Sequence, residues 1–230
     1  VESYFLKLND PRKPGRAMWV KYTILVPVGR PDQAVAEVWG IRFDPRGNNG
    51  GKLTREASRA RLERERLTVQ IGPGTLEPGH CTGVVDAGGT ALSWDFRYTC
   101  DGPAMYAFPH PWMYTGSFPR GKLYTPVPRM HVHGTLRFGD EVWTLEDWPG
   151  ALGHNWGEAH NPRYHWAQCN HFVGEQAVFE AFSGKIPVGP LLSPWLTGAR
   201  LRFRGQEWAF DGLFGLLRPK VETSPGCWQF

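Results

Sequence analysis

Ala91–Thr99 reads ALSWDFRYT, and its alternation decides the fold class. Leu92, Trp94, Phe96 and Tyr98 fall on one side of an extended chain, with Ser93, Asp95, Arg97 and Thr99 on the other. Successive side chains of a strand point to opposite faces, so one face meets a core and the other meets water. Ala17–Val26 (AMWVKYTILV) does the same, grouping Met18, Val20, Tyr22, Ile24 and Val26. In Ala199–Arg204 (ARLRFR), Ala199, Leu201 and Phe203 oppose three arginines. Half-buried strands of this kind build antiparallel sheets.

Working outward, further extended runs are expected at Ala34–Phe43, Arg66–Ile71, His131–Phe138, Glu141–Asp147, Tyr164–Val173 and Ala177–Ser183. Gly-, Asn- and Asp-rich turns separate them, among them RGNNGG at 46–51, DAGG at 86–89 and FGD at 138–140. Short strands joined by such turns predict a meander that closes as a barrel or sandwich. Thr54–Leu67 is the one helix candidate. Pro103–Pro128 carries six prolines and almost no alternation, and reads as a linker or crossover between two β-rich halves. The expected domains are therefore residues 1–125 and 126–230.

Composition bounds the function. The 230 residues include 11 tryptophans, and 41% hydrophobic content excludes a disordered chain. A net charge of +4 is too weak to indicate a nucleic-acid partner. The charge run Arg55–Arg66 mixes both signs, as a solvated helix face or loop does. No apolar run is long enough for a spanning helix. The first residue is Val1 rather than methionine, which leaves a removed leader or tag open; a soluble, cytoplasmic protein is the favoured reading. The four cysteines form no C-x-x-C pair and read as free thiols, with Cys81–Cys100 the one pairing worth checking. Nucleophile-elbow, P-loop and dinucleotide signatures are missing, so covalent and nucleotide chemistry is unsupported.

Polar groups then need explaining. His131 and His133 share a face, as a zinc pair would, but with Thr135 and Arg137 as neighbours, so they read as solvated and no metal is assigned. His154, His160, His165 and His171 lack metal-ligand spacing. In Tyr164–Phe172, Tyr164, Trp166, Gln168, Asn170 and Phe172 share one face. Two amides among three aromatics either bond locally or line a pocket with apolar walls and a few placed polar groups. In Ala177–Ser183, Glu180 stands between Val178 and Phe182 on an apolar face. Burial without a cation would raise its pKa and leave a protonated acid, whereas a salt bridge to an arginine would hold it ionised.

Gly153–Gly157 (GHNWG), followed by Pro162, Arg163, Tyr164, Trp166 and Gln168–Asn170 (QCN), resembles the asparagine–tryptophan–glycine and glutamine–cysteine–asparagine signature of tocopherol cyclases. Glu2–Pro11, Ala17–Thr23 and Ala34–Phe43 are similar to the first barrel of the wider superfamily, which includes carotenoid 1,2-hydratases, AttH-type proteins and some fungal Diels–Alderases. The resemblance spans most of the chain, with its specific matches in residues 147–172. It implies an all-β fold of two lipocalin-like (calycin-type) antiparallel β-barrels in tandem. It also implies a small hydrophobic ligand and no redox cofactor, with alkene protonation driving ring closure or hydration.

Trp156, Trp166, Gln168 and Asn170 carry over from the matching motif; Asn155, Tyr164 and Phe172 join them as ligand-binding candidates. Glu180, on the strand where the hydratases place an acid, and His154 are the catalytic candidates. Tocopherol cyclases are longer, and Cys227–Phe230 (CWQF) reads like a strand just begun, so the second barrel is expected to be incomplete or completed by another chain. His154 also stands where plant cyclases tend to carry another polar residue.

Three functions compete. The first is a cofactor-independent cyclase or hydratase (an isomerase or lyase) acting on a prenylated or polyene substrate. The alternative is a non-catalytic lipocalin-like carrier of a hydrophobic ligand, and the third an inactive relative whose aromatics fill the barrels. Peripheral membrane contact accompanies either ligand-handling reading, and the residues leave the oligomeric state open.

Overall fold

Alternation becomes pairing wherever a short turn lets the chain double back. The computed structural model describes residues 1–159, 161–210, 217, 220–224 and 227–230; His160 lies outside them. In chain order the first strands are β1 (Glu2–Asn9), β2 (Ala17–Leu25), β3 (Val35–Phe43), β4 (Asn49–Glu56), β5 (Ala60–Glu63), β6 (Thr68–Ile71), β7 (Gly74–Glu77), β8 (His80–Asp86) and β9 (Ala91–Cys100). Next come β10 (Met105–Tyr106), the one-turn helix α1 (Trp112–Thr115), β11 (Gly121–Phe138), β12 (Glu141–Gly157), β13 (Arg163–Cys169) and β14 (Ala177–Lys185). The rest are β15 (Pro187–Val188), β16 (Leu191–Leu192), β17 (Leu196–Phe203), β18 (Gln206–Phe210), β19 (Glu222–Ser224) and β20 (Cys227–Gln229).

The fold is all-β, with a nearly closed antiparallel barrel and a second, smaller sheet. Two compact units divide the chain, each built from two segments. Unit 1 is Val1–Pro103 with Pro126–His154, and unit 2 is Ala104–Thr125 with Asn155–Phe230. The cut expected at 125/126 falls inside β11, and most of the proline-rich stretch belongs to unit 2.

In unit 1 the strand order is β4-β3-β2-β1-β12-β11-β9-β8-β7-β6-β5. Leu92, Phe96, Leu6, Leu8, Val20, Met130 and Val132 are fully buried within this barrel. Burying a side chain of this size contributes about 1.5–3 kcal/mol. The β8–β9 turn works because Gly88 and Gly89 adopt φ of 72° and 86°, and the Asp86 carboxylate accepts the Gly89 N–H at 2.7 Å. Trp94, 3% exposed, fits inside the barrel because Gly40 on β3 and Gly83 on β8 carry no side chain where its indole lies. Its Nε1 donates to Tyr22 Oη at 3.3 Å, and Tyr22 Oη donates to the Thr82 carbonyl at 2.5 Å.

The helix expected over Thr54–Leu67 is not formed. Its residues make the end of β4, a single 3₁₀ turn at Ala57–Arg59, and β5. Ala60 and Leu62 pack on the core two residues apart, as on one face of a strand, and backbone pairing from Val35↔Glu56 to Arg42↔Asn49 holds β4 extended. The charged side chains are nonetheless solvated, pairing as Arg59–Glu56, Arg61–Glu63 and Arg64–Glu2. His131 pairs with Asp147 at 2.6 Å and His133 is exposed; among the described residues no group of His, Cys, Asp or Glu is placed to hold a metal.

Unit 2 contains the four-stranded sheet β13-β14-β17-β18, the hairpin β15–β16, the paired strands β19 and β20, α1, and β10 paired with Tyr124 and Thr125. Of the run at 227–230, Cys227–Gln229 forms β20, paired antiparallel with β19. All four cysteines are free thiols, with Cys81 buried.

Candidate functional site

Register builds the site in unit 2. Paired residues of neighbouring antiparallel strands share a face. Gln168↔Glu180↔Arg200 form one row across β13, β14 and β17, and Trp166↔Phe182↔Gly198 form the next. Val178↔Arg202↔Glu207 make the third. The arginine side of β17 is therefore not the wet face that ARLRFR suggested. Arg200 and Arg202 are 17% and 16% exposed, and both donate to the carboxylate of Glu207, at 2.9 and 2.7 Å.

Residues of Ala104–Thr125 cover this face. The ring of Phe108 lies 5.7 Å from that of Phe182. Arg202 Nη2 donates to the Ala104 carbonyl at 3.2 Å. Glu180 is 4% exposed, and its Oε1 accepts from Thr125 Oγ1 and from Trp166 Nε1, each at 2.8 Å. Hydrogen bonds donated to a carboxylate stabilise its ionised form, against burial, which favours the neutral one. Arg200 is the cross-strand partner of Glu180 in register.

Tyr114, on α1, completes the ring of groups. Its hydroxyl accepts the Phe108 N–H at 2.7 Å, and its ring lies 6.1 Å from Trp156 and 5.4 Å from Phe108. Burial lifts the phenol above its usual range; the Phe108 N–H opposes this, Arg200 lowers it and Glu180 raises it. The site can hold a fixed carboxylate beside aromatic faces, which suits proton transfer or recognition of an unsaturated apolar molecule.

The sequence candidates distribute as follows. Glu180, Trp156, Trp166 and Gln168 belong to the cluster or its rows, and Asn170, 3% exposed, is buried just beyond the end of β13. Asn155 belongs to unit 2, and its Oδ1 is buried without a hydrogen-bond partner among the described residues. Tyr164 is 61% exposed and Phe172 is 37% exposed, bridged to Glu175 in the turn after β13. His154 belongs to unit 1, stacked on Tyr4 with ring centroids 4.1 Å apart and its Nε2 3.5 Å from Glu2 Oε1. Glu2 also accepts from Tyr4 at 3.0 Å and Arg64 at 2.6 Å. Burial raises the Glu2 pKa, but the bonds from His154, Arg64 and Tyr4 outweigh it and bring it down to about 2. Sequence reasoning missed Tyr114, Thr125, Arg200 and Glu2. The alternating arginines of ARLRFR were the one available signal.

Solved structures bear on this arrangement. The chain is similar to a candidate AttH from Nitrosomonas europaea, with a TM-score of 0.62 and 16% identity over 91% of this chain and 68% of that one. It is also similar to kievitone hydratase from Nectria haematococca, with a TM-score of 0.58 and 8% identity over 91% of this chain and 64% of that one. The fold is theirs. At these identities the likeness extends to architecture, and function has to be argued from the site itself. No family model and no curated protein matches the sequence.

Proposed function

We propose that this protein is a cofactor-independent hydratase or cyclase acting on a hydrophobic prenylated or polyene substrate, with Glu180 as its proton-transferring group. The observation that carries the reading is a carboxylate 4% exposed, hydrogen-bonded to Trp166 and Thr125 among aromatic rings of the same unit. In such a reaction a proton adds to one alkene carbon. The other carbon, left cationic, takes the oxygen of water, which then loses a proton, or is attacked by an oxygen or double bond of the same molecule. Each ring presented to the cation contributes about 0.5–2 kcal/mol. Trp156, Trp166, Phe108 and Tyr114 are the candidate rings. The shared fold with kievitone hydratase, and the asparagine–tryptophan–glycine motif resembling tocopherol cyclases, support the same class. Asn155, Gln168 and Asn170 would orient polar substrate groups.

The test is turnover of prenylated phenols and polyenes in heavy water. One deuterium enters the product carbon skeleton, and Glu180→Gln lowers the rate about 10²–10⁴-fold with ligand affinity nearly intact. Equal turnover in the variant rejects Glu180 as the acid. A second reading, a carrier without chemistry, would use the same carboxylate as a polar anchor held by Thr125 and Trp166. Saturable binding with no deuterium incorporation by either form would establish the carrier.

A further inference from the structure

We propose that the hairpin joining β14 to β17 docks this protein on an anionic phospholipid bilayer, its apolar tip entering the interface. Ile186–Leu196 reads IPVGPLLSPWL, a run without one charged side chain. The β14–β17 ladder ends at Gly184↔Leu196, and the intervening residues fold into the separate hairpin β15–β16. The Ser193 N–H donates to the Ile186 carbonyl at 2.9 Å, and the Ile186 N–H donates to Ser193 Oγ at 3.0 Å. With these groups tied internally, the side chains turn outward. Val188 is 59% exposed, Leu191 72% and Leu192 43%. Solvated turns are ordinarily polar, and a contiguous apolar tip marks a surface meant to be covered.

Three features select a bilayer as the cover. Pro187, Pro190 and Pro194 have no N–H to strip of water, which lowers the cost of placing backbone among lipid headgroups. The base of the hairpin is cationic and aromatic: Lys185 Nζ lies 5.2 Å from the Trp195 ring, and Arg163 is the cross-strand partner of Lys185. Indoles and basic side chains are the groups that settle at a membrane–water boundary. No Asp or Glu occurs between Glu180 and Glu207, so this segment presents no negative charge of its own to an anionic surface. Ser193, the one hydroxyl of the hairpin, already bonds to Ile186 and to the Pro194 carbonyl, leaving it poorly suited to a protein partner that reads polar detail.

The experiment is sedimentation of the whole chain with vesicles of phosphatidylcholine alone or with about one-third phosphatidylglycerol, without substrate, so it is independent of turnover. Binding to the anionic vesicles is expected. The double variant Val188→Asp/Leu191→Asp lowers the partition coefficient at least tenfold, and Lys185→Gln, which leaves the tip intact, lowers it about fivefold. Failure to bind anionic vesicles overturns the proposal. So does binding that both variants leave unchanged. Light scattering that shows a dimer converted to monomer by the tip variant, with no vesicle binding, assigns the hairpin to a second copy and overturns it too.

Discussion

Replacing Thr125 with valine isolates the hydrogen bond that ties β11 to the carboxylate of β14. Valine keeps the shape of threonine, and the site is closed: Thr125 is 1% exposed and Glu180 4%. The bond from Thr125 Oγ1 to Glu180 Oε1 is 2.8 Å long, and Trp166 Nε1 donates to the same oxygen at the same distance. A hydrogen bond to a charged group is worth about 1.5–3 kcal/mol, and water cannot readily replace the lost donor here. The loss should fall on β14 first. Hydrogen–deuterium exchange of a peptide covering Ala177–Lys185 reads it locally. A loss of that size accelerates exchange about tenfold to a hundredfold under conditions where exchange follows opening equilibria. Thr125→Ser keeps the hydroxyl and should stay near the wild-type rate. Unchanged exchange in the valine variant, or equal acceleration in the serine variant, refutes the assignment of stability to this bond.

Acid should act through Glu2. Its pKa is lowered from the ordinary 4.5 to about 2, so its contribution is complete above about pH 4.5 and disappears as pH falls toward 2. Glu2→Gln is expected to cost about 2 kcal/mol near neutrality, less than the full linkage value because Arg64 is largely exposed, and to converge with wild type in unfolding titrations below pH 2. Convergence missing from those titrations would put the stability elsewhere. Burial pushes the Cys81 thiol up to about 12, while Cys100, Cys169 and Cys227 are exposed. A thiol reagent near pH 8 should therefore modify those three in the native protein and reach Cys81 only on unfolding; rapid labelling of Cys81 contradicts the packed barrel. Gly83→Ala would drive a methyl into the Trp94 indole and destabilise the barrel by about 1–3 kcal/mol in urea unfolding, with no change counting against the close approach.

Local chemistry made part of this molecule readable. In β9 every second residue from Leu92 to Tyr98 is buried, because a central strand in a one-sided sheet imposes that period on its side chains. The turns at 86–89 and 138–140 were legible for the same reason: Gly and Asp have few other uses between two extended runs. Thr54–Leu67 misled because abundant Arg and Glu support a helix as well as an edge strand, and the choice was made by pairing with β3. The polar face of β17 misled more instructively. Arginines at alternate positions look solvated until Glu180 and Glu207 are brought opposite them, and strand pairing alone does that. The Thr125–Glu180 bond spans 55 residues, and no window on the sequence contains both ends. Trp166, Gln168 and Glu180 were found by oddity, as polar groups on apolar faces; Tyr114 sits in a stretch with no period at all.

Trp94 packed across Gly40 and Gly83 has a practical corollary. Its indole occupies a space that two bare backbone positions hold open, so trimming it to glycine should leave a flat slot on the order of 150 Å³, roughly the size that stays dry and admits a small arene. Free indole added to such a mutant would restore its thermal midpoint by mass action. The first unit then becomes a tunable receptor whose occupancy can be switched by a soluble compound.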